Sequence, residues 1–109
     1  MKIYHGRRTD YGCAVDVEED GECTLLNLRK DLRNLSPEGI EWGVAGNGPA
    51  QLALALAADV LGDDRKALQI HQRLKHELVA RLPHEDWVLT EAQVRAAIDA
   101  IELEPSRAR

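Results

Sequence analysis

The sequence predicts an α+β protein, in which a small antiparallel N-terminal sheet of two or three strands packs on three helices. Residues 11–17 alternate between larger apolar and smaller or polar side chains, which is typical of a strand. Residues 50–61 are apolar on nearly every side, so the rest of the chain must surround them. Two later segments each carry one apolar stripe at helical spacing. These patterns predict two layers around a buried central helix at about 50–61.

The strands are predicted in the first quarter of the chain. Residues 2–4 form a short strand, and residues 11–17 form the next one. Asp20-Gly21 is a strong turn signal, so residues 22–28 are predicted to return as its antiparallel partner.

The two cysteines are predicted to be free thiols. With a four-residue loop at 18–21, Val17 pairs with Glu22, and Cys13 and Cys23 then lie on opposite faces of the sheet. A loop one residue shorter would put both on one face, but still beyond disulfide reach. Two cysteines without companion ligands also do not make a zinc site.

The first helix, about 50–61, follows a glycine-rich loop and ends at Gly62, a natural residue for a helix C-terminus. Pro49 fits its first turn, because that N–H has no partner within the helix. The second helix is predicted at about 64–81, and Asp63 or Asp64 caps its N-terminus.

The third helix is predicted to begin at Thr90 and to end at about Ile101. Gln93 follows Thr90 by three residues, which is the spacing of a capping box. Residues 102–109 are predicted to fray. The whole chain, 1–109, is predicted to be a single domain, since 109 residues suffice for one modest core.

Composition excludes several classes of protein. A net charge of −5 argues against general affinity for nucleic acid. The longest apolar run, residues 52–58, is far shorter than the ~20 residues that span a bilayer. The first residues, MKIYHGRR, lack the apolar core of a signal peptide. We therefore expect a cytoplasmic protein without a membrane partner.

Two motifs resemble ligand sites but are incomplete. Residues 16–27 begin like a calcium loop, yet the twelfth position is Asn27, where a bidentate Glu is needed. An exposed acidic hairpin tip is the preferred interpretation. The loop at residues 43–49 lacks the Lys-Ser/Thr pair of a phosphate-binding loop. We expect no metal and no cofactor.

A polar group around the start of the first helix is the candidate binding site. Gln51 is expected to hydrogen-bond the loop that carries Glu41 and Trp42, either as a structural contact or as a pocket wall. His71 lies in an apolar stripe and is expected to be a hydrogen-bonded core residue. No catalytic residue is assigned, because no arrangement marks a nucleophile. The candidate binding residues are Asn34, Glu41, Trp42, Asn47 and Gln51.

One block resembles a known family. Glu41-Trp42-Gly43 followed by Gly48-Pro49-Ala50-Gln51 and the apolar run after it resembles a family of small domains of unknown function from bacteria, archaea and their mobile elements. The chain departs from the family pattern at Leu35, Ile40 and Val44, where relatives often carry His or an aromatic residue. The resemblance implies no activity, cofactor or catalytic residue, but it favours an accessory or host-interaction role.

Three functions are compatible with the sequence. The preferred hypothesis is a non-catalytic interaction domain with an unidentified protein partner or with itself. The alternative is a ligand-binding domain or small enzyme with a polar pocket around Glu41, Trp42 and Gln51, which an upward pKa shift of a buried Glu41 would favour. Nucleic-acid binding would need several basic residues on one face. Those residues are Arg7, Arg8, Arg29, Lys30 and Arg33.

Overall fold

The computed structural model describes residues 1–103 and contains one antiparallel sheet of four strands in the order β3-β2-β1-β4. The strands are β1 (Ile3–Thr9), β2 (Gly12–Glu19), β3 (Glu22–Leu25) and β4 (Trp87–Thr90). The predicted α+β class agrees with this architecture, but the predicted number of two or three strands is wrong. The fourth strand comes from the C-terminal half and pairs with β1, with Ile3 opposite Thr90.

Tight turns join the first three strands. β1 extends five residues beyond the predicted Tyr4, and Thr9 pairs with Gly12 across the turn. Asp20 and Gly21 both have positive φ, at 54° and 83°, as a two-residue hairpin turn requires.

The β2–β3 pairing differs from the predicted one. Glu19 pairs with Glu22, so the predicted four-residue loop and the predicted pairing of Val17 with Glu22 are wrong. The strands extend further into the turn because Asp20 adopts the left-handed conformation. The observed register differs from the predicted one by two residues. Because side chains alternate between the faces, Cys13 and Cys23 still lie on opposite faces of the sheet, and both are free as predicted.

The central helix α1 spans Asn47–Leu61 and is buried along nearly its whole length, which confirms the predicted burial of residues 50–61. It begins at Asn47, three residues earlier than predicted, and Pro49 occupies its third position, within the first turn as predicted. Gly62 ends the helix in the left-handed conformation, with φ 62°.

The two flanking helices pack their apolar stripes against α1. Helix α2 spans Asp64–Glu77, and the Asp63 side chain accepts a hydrogen bond from the Lys66 N–H, as a capping residue should. The predicted end at residue 81 is wrong, because Leu78 leaves helical geometry and a 3₁₀ turn, Val79–Arg81, follows.

Helix α3 spans Glu91–Leu103, and Thr90 and Gln93 exchange the two hydrogen bonds of the predicted capping box. Residues 102 and 103 are helical, which corrects the start of the predicted frayed tail. The remainder of that prediction, residues 104–109, lies outside the described residues.

The sheet has one face against the helices and one face without a covering layer among residues 1–103. The inner face buries side chains from three strands against α1: Tyr4, Val15, Val17, Trp87 and Leu89. The Tyr4 hydroxyl donates to Asp59 Oδ2 at 2.6 Å, which fixes β1 to α1. Burial and this carboxylate both raise the pKa of Tyr4.

Candidate functional site

A long irregular segment, residues 26–46, connects the sheet to α1 and contains most of the predicted site residues. Loops of this length without regular structure are uncommon in compact domains. Here two side chains from other elements, Gln51 of α1 and Arg8 of β1, hold the segment in place. The contacts of those side chains determine whether the region is a scaffold or a pocket.

Gln51 is the first of these anchors and is fully buried. Its Oε1 accepts from the N–H groups of Leu35 and Ser36, at 2.7 and 3.2 Å. Its Nε2 donates to the carbonyls of Leu28 and Arg33, at 2.7 and 3.1 Å. Both the oxygen and the nitrogen of the Gln51 amide therefore hydrogen-bond to backbone groups of the irregular segment. These partners belong to the same irregular segment as Glu41 and Trp42, as predicted, but they lie upstream of that dipeptide.

Arg8 is the second anchor, and it reaches Glu41 from β1. Its guanidinium contacts both carboxylate oxygens of Glu41, with Nη1 at 3.2 Å from Oε2 and Nη2 against Oε1. The same side chain donates to the His84 carbonyl and lies 5.2 Å from the centre of the Trp42 ring. One arginine thus joins β1, the loop and the segment before β4.

Electrostatics keeps Glu41 ionised near neutral pH. The hydrogen bond from Arg8 lowers the pKa of Glu41 from 4.5 to about 2, with smaller contributions from the Trp42 N–H and the Cys13 thiol, while burial opposes the shift. Burial and the charge of Glu41 raise the pKa of Cys13. Neither group is suited to proton transfer or nucleophilic attack near neutral pH. The upward shift that would favour an enzyme is not observed.

The ion pair predicts acid destabilisation that depends on Glu41. Because the folded-state pKa lies below the ordinary value, the pair stabilises the fold above about pH 4.5, and this stabilisation is lost as pH falls towards about 2. We expect Glu41→Gln to be less stable than wild type near neutral pH and to lose less stability on acidification. Urea unfolding between about pH 6 and about pH 3 measures this difference. Glu38→Gln, at an exposed residue of the same loop, is the matched control, and equal pH profiles of the two variants would contradict the assignment.

Trp42 is a core residue and not a surface anchor. It is fully buried, and its indole N–H donates to the carbonyls of His84 and Glu85, at 3.1 and 2.9 Å. Its ring meets that of Trp87 edge to face, with centroids 5.3 Å apart. Among the described residues, the buried Trp87 indole N–H has no acceptor.

The five predicted site residues do not line one pocket. Asn34 and Asn47 are exposed, whereas Trp42 and Gln51 are buried in the core. Only Glu41 borders a surface depression, of about 410 Å³, next to the start of α1. Its other walls include residues outside the predicted binding site, namely Arg8, Tyr11, Cys13 and Glu38.

The uncovered side of the sheet, here called the open face, is the second candidate site. It is formed by the side chains that alternate with the buried ones, and β1 and β2 are its central strands. A shallow depression of about 450 Å³ lies along it. The residues of the open face are Ile3, His5, Arg7, Ala14, Asp16, Glu18, Cys23, Leu25, Val88 and Thr90.

The open face combines paired charges with exposed aliphatic side chains. His5 Nε2 lies 2.8 Å from Glu18 Oε1, and Arg7 Nε lies 2.6 Å from Asp16 Oδ2. Leu25 on β3 and Val88 on β4 are 71% and 58% exposed at the two edges. On the open face, the exposed aliphatic side chains therefore lie at the edges and the charged pairs at the centre.

Other kinds of site receive little support from the geometry. Residues 1–103 contain no group of three or more His, Cys, Asp or Glu arranged to hold a metal ion. His71 is buried, and its Nδ1 lies 2.7 Å from the Leu68 carbonyl, so it is the hydrogen-bonded core residue that was predicted. No helix in the described part of the chain is long and apolar enough to cross a bilayer.

The basic residues do not form one face. Arg7 and Arg8 are neighbours on β1 and therefore point to opposite sides of the sheet. Arg29 contacts Asp31 and Asp64, at 3.1 Å each, on another part of the surface. Each of these guanidinium groups is paired with a carboxylate, which weakens the case for a phosphate-binding surface.

The fold and sites define a small two-layer α+β protein with an ion-paired loop and an open sheet face. The model of the family of unknown function DUF6166 matches residues 4–100, and the chain belongs to this family. No curated protein and no solved structure matches the chain.

The sequence did not indicate that Arg8 pairs with Glu41, and it did not indicate the open face. Arg8 pairs with a residue 33 positions away, and no local pattern indicates such a contact. The open face did leave a signal, because His5 and Arg7 alternate with Tyr4 and Gly6 in the same way that Asp16 and Glu18 alternate with buried valines. Extending the first strand to Thr9 would have revealed it.

Proposed function

We propose that this protein is a non-catalytic protein-interaction domain that binds through the open face. The supporting observation is that Leu25 and Val88 remain exposed on either side of the paired charges. Exposed apolar surface bordered by polar groups is typical of interaction sites. The accessory role on mobile DNA and the cytoplasmic location, both expected from the sequence, belong to this proposal.

The state of Glu41 supports a non-catalytic role. Its two oxygens are used by Arg8, Trp42 and the Cys13 thiol, and its pKa is about 2. A carboxylate that is ionised near neutral pH and bonded through both oxygens acts as a positioning element of the scaffold. We therefore interpret this cluster as the means by which the loop is fixed to β1.

A small-ligand site is the second candidate function. The depression of about 410 Å³ beside Glu41 favours it, since Tyr11 at its rim is fully exposed. Binding there would use Tyr11 and Glu38 rather than the buried Trp42 and Gln51. The experiment below separates this candidate from the first.

Affinity capture with three variants tests the proposal. The tagged protein is incubated with an extract of cells that also express the untagged chain, and bound proteins are identified by mass spectrometry. We expect Val88→Glu to reduce capture by about tenfold or more, because it places a desolvated charge in the interface. Val44→Glu, at an exposed valine outside the open face, is the matched control and should leave capture unchanged.

The third variant, Glu41→Gln, should lower the thermal midpoint but leave capture intact. Circular dichroism at the capture temperature establishes that each variant is folded. Loss of capture in a folded Glu41→Gln variant, together with normal capture by Val88→Glu, would contradict the proposal and favour the depression beside Glu41.

A further inference from the structure

The charges of the open face follow its strands. The basic side chains His5 and Arg7 lie on β1, whereas the acidic side chains Asp16 and Glu18 lie on β2. These two strands are neighbours at the centre of the sheet. The face therefore carries one basic and one acidic column, side by side and parallel to the strands.

The strand register places an apolar residue outside each column. Asp16 pairs with both His5 and Leu25, and His5 also pairs with Val88. Across the sheet, one row therefore reads Val88, His5, Asp16, Leu25. Read from Leu25 to Val88, the row again has an apolar residue at each end, but the acidic residue now precedes the basic one.

We propose that the open face is the interface of a homodimer, in which two copies of this chain pack sheet against sheet. The inference rests on the proposed function, because it names the partner of the open face. The two-fold axis runs parallel to the strands, midway between β1 and β2 and between the two sheets. Rotation about this axis sets the basic column of each copy against the acidic column of the other.

The same rotation matches the apolar ends. Val88 of one copy lies opposite Leu25 of the second copy, and His5 lies opposite Asp16 of the second copy. Each contact occurs twice, as in any interface with two-fold symmetry. Because the axis preserves strand direction, the two sheets are aligned, which is the usual arrangement of packed sheets.

The size of the face predicts a weak but specific dimer. Four strands about 4.8 Å apart make a patch roughly 20 Å wide, and the total area buried by two copies is on the order of 1,000 Å². That is the lower limit for a specific interface. We expect a dissociation constant on the order of 10–100 μM, weakened by added salt because charged columns face each other.

Two charge reversals test the pairing of columns. Arg7→Glu places an acidic residue in the basic column on β1. Asp16→Arg places a basic residue in the acidic column on β2. Each variant alone then opposes like charges across the axis, so we expect its dissociation constant to rise by about tenfold or more. Sedimentation velocity from about 10 μM to about 1 mM measures this, with circular dichroism to confirm folding.

Mixing the two variants restores opposite charges on both halves of the interface. We expect an equimolar mixture to dimerise about as well as wild type, whereas each variant alone remains monomeric. Val44→Glu, outside the open face, is the matched control and should dimerise like wild type. A variant that is simply unfolded cannot regain dimerisation when it is mixed with the other variant.

A cross-link tests the direction of the axis. Within one copy, Cys23 and Val88 lie on opposite edges of the sheet and two residues apart along the strands, which separates them by about 16 Å. In the dimer, Cys23 lies next to the Leu25 that faces Val88 of the second copy. In a Cys13→Ser, Val88→Cys background, a bis-maleimide with a span of about 8 Å should yield covalent dimers.

The outcomes separate this inference from the proposed function. A wild-type chain that is monomeric at about 1 mM, or a mixture that fails to dimerise, overturns the homodimer. Capture of a different protein that still depends on Val88 would then leave the proposed function standing. Monomeric behaviour without any capture that depends on Val88 overturns both.

Discussion

Replacing Gln51 with alanine is expected to lower the free energy of unfolding by about 2–4 kcal/mol. The substitution leaves two N–H groups and two carbonyls of the loop without their partner, and it opens a space in the core beside α1. Urea unfolding followed by tryptophan fluorescence measures the loss, since both tryptophans are buried.

Gln69→Ala is the matched control for this prediction. Gln69 lies on the exposed side of α2, so its truncation should change stability by less than about 0.5 kcal/mol. Gln51→Glu adds a second comparison, because it keeps the size of the side chain but cannot donate to the Leu28 and Arg33 carbonyls. Equal stability of the Gln51→Ala and Gln69→Ala variants would show that the buried amide does not hold the loop.

Replacing Gly6 with alanine is the substitution with the next largest expected effect. A Cβ at this position would lie 2.2 Å from Trp87 Cε2 and 2.5 Å from Trp87 Nε1, well inside contact distance. The indole is packed edge to face against Trp42, so it has little room to move. We expect a loss of about 2–3 kcal/mol from overpacking, measured by urea unfolding.

A double-mutant cycle identifies the cause of that loss. In a Trp87→Leu background the ring is absent, and Gly6→Ala should then have an effect below about 1 kcal/mol. An unchanged effect in this background would place its origin in the backbone of β1 rather than in contact with the indole. The cycle therefore tests the packing of β4 on β1 directly.

Much of the fold could be predicted because its signals are local. The all-apolar run of α1, the Thr90–Gln93 capping box and the Asp20-Gly21 turn each act within a few residues. Strand β4 was missed for the opposite reason. It has only four residues, and its partner β1 lies more than 80 positions earlier in the chain.

Two contacts in the region of the predicted site follow from the sequence. Burial of Trp42 follows from a core that lacks Phe, and a glutamine in the first turn of a buried helix must find hydrogen-bond partners. Asn34 lies within the irregular segment and Asn47 is the first residue of α1 directly after it, so the exposure of both depends on the path of that segment. No periodicity describes such a path, so tertiary contacts alone decide which polar residues face solvent.

The position of β1 between β2 and β4 has a consequence for synthesis on the ribosome. The hairpin with β2 forms once those two strands have left the exit tunnel, but the other edge of β1 waits for β4, which is synthesised more than 60 residues later. During that interval a growing chain displays an unpaired strand edge, which is a template for aggregation. Nascent chains on crowded polysomes should therefore aggregate more readily than folded molecules.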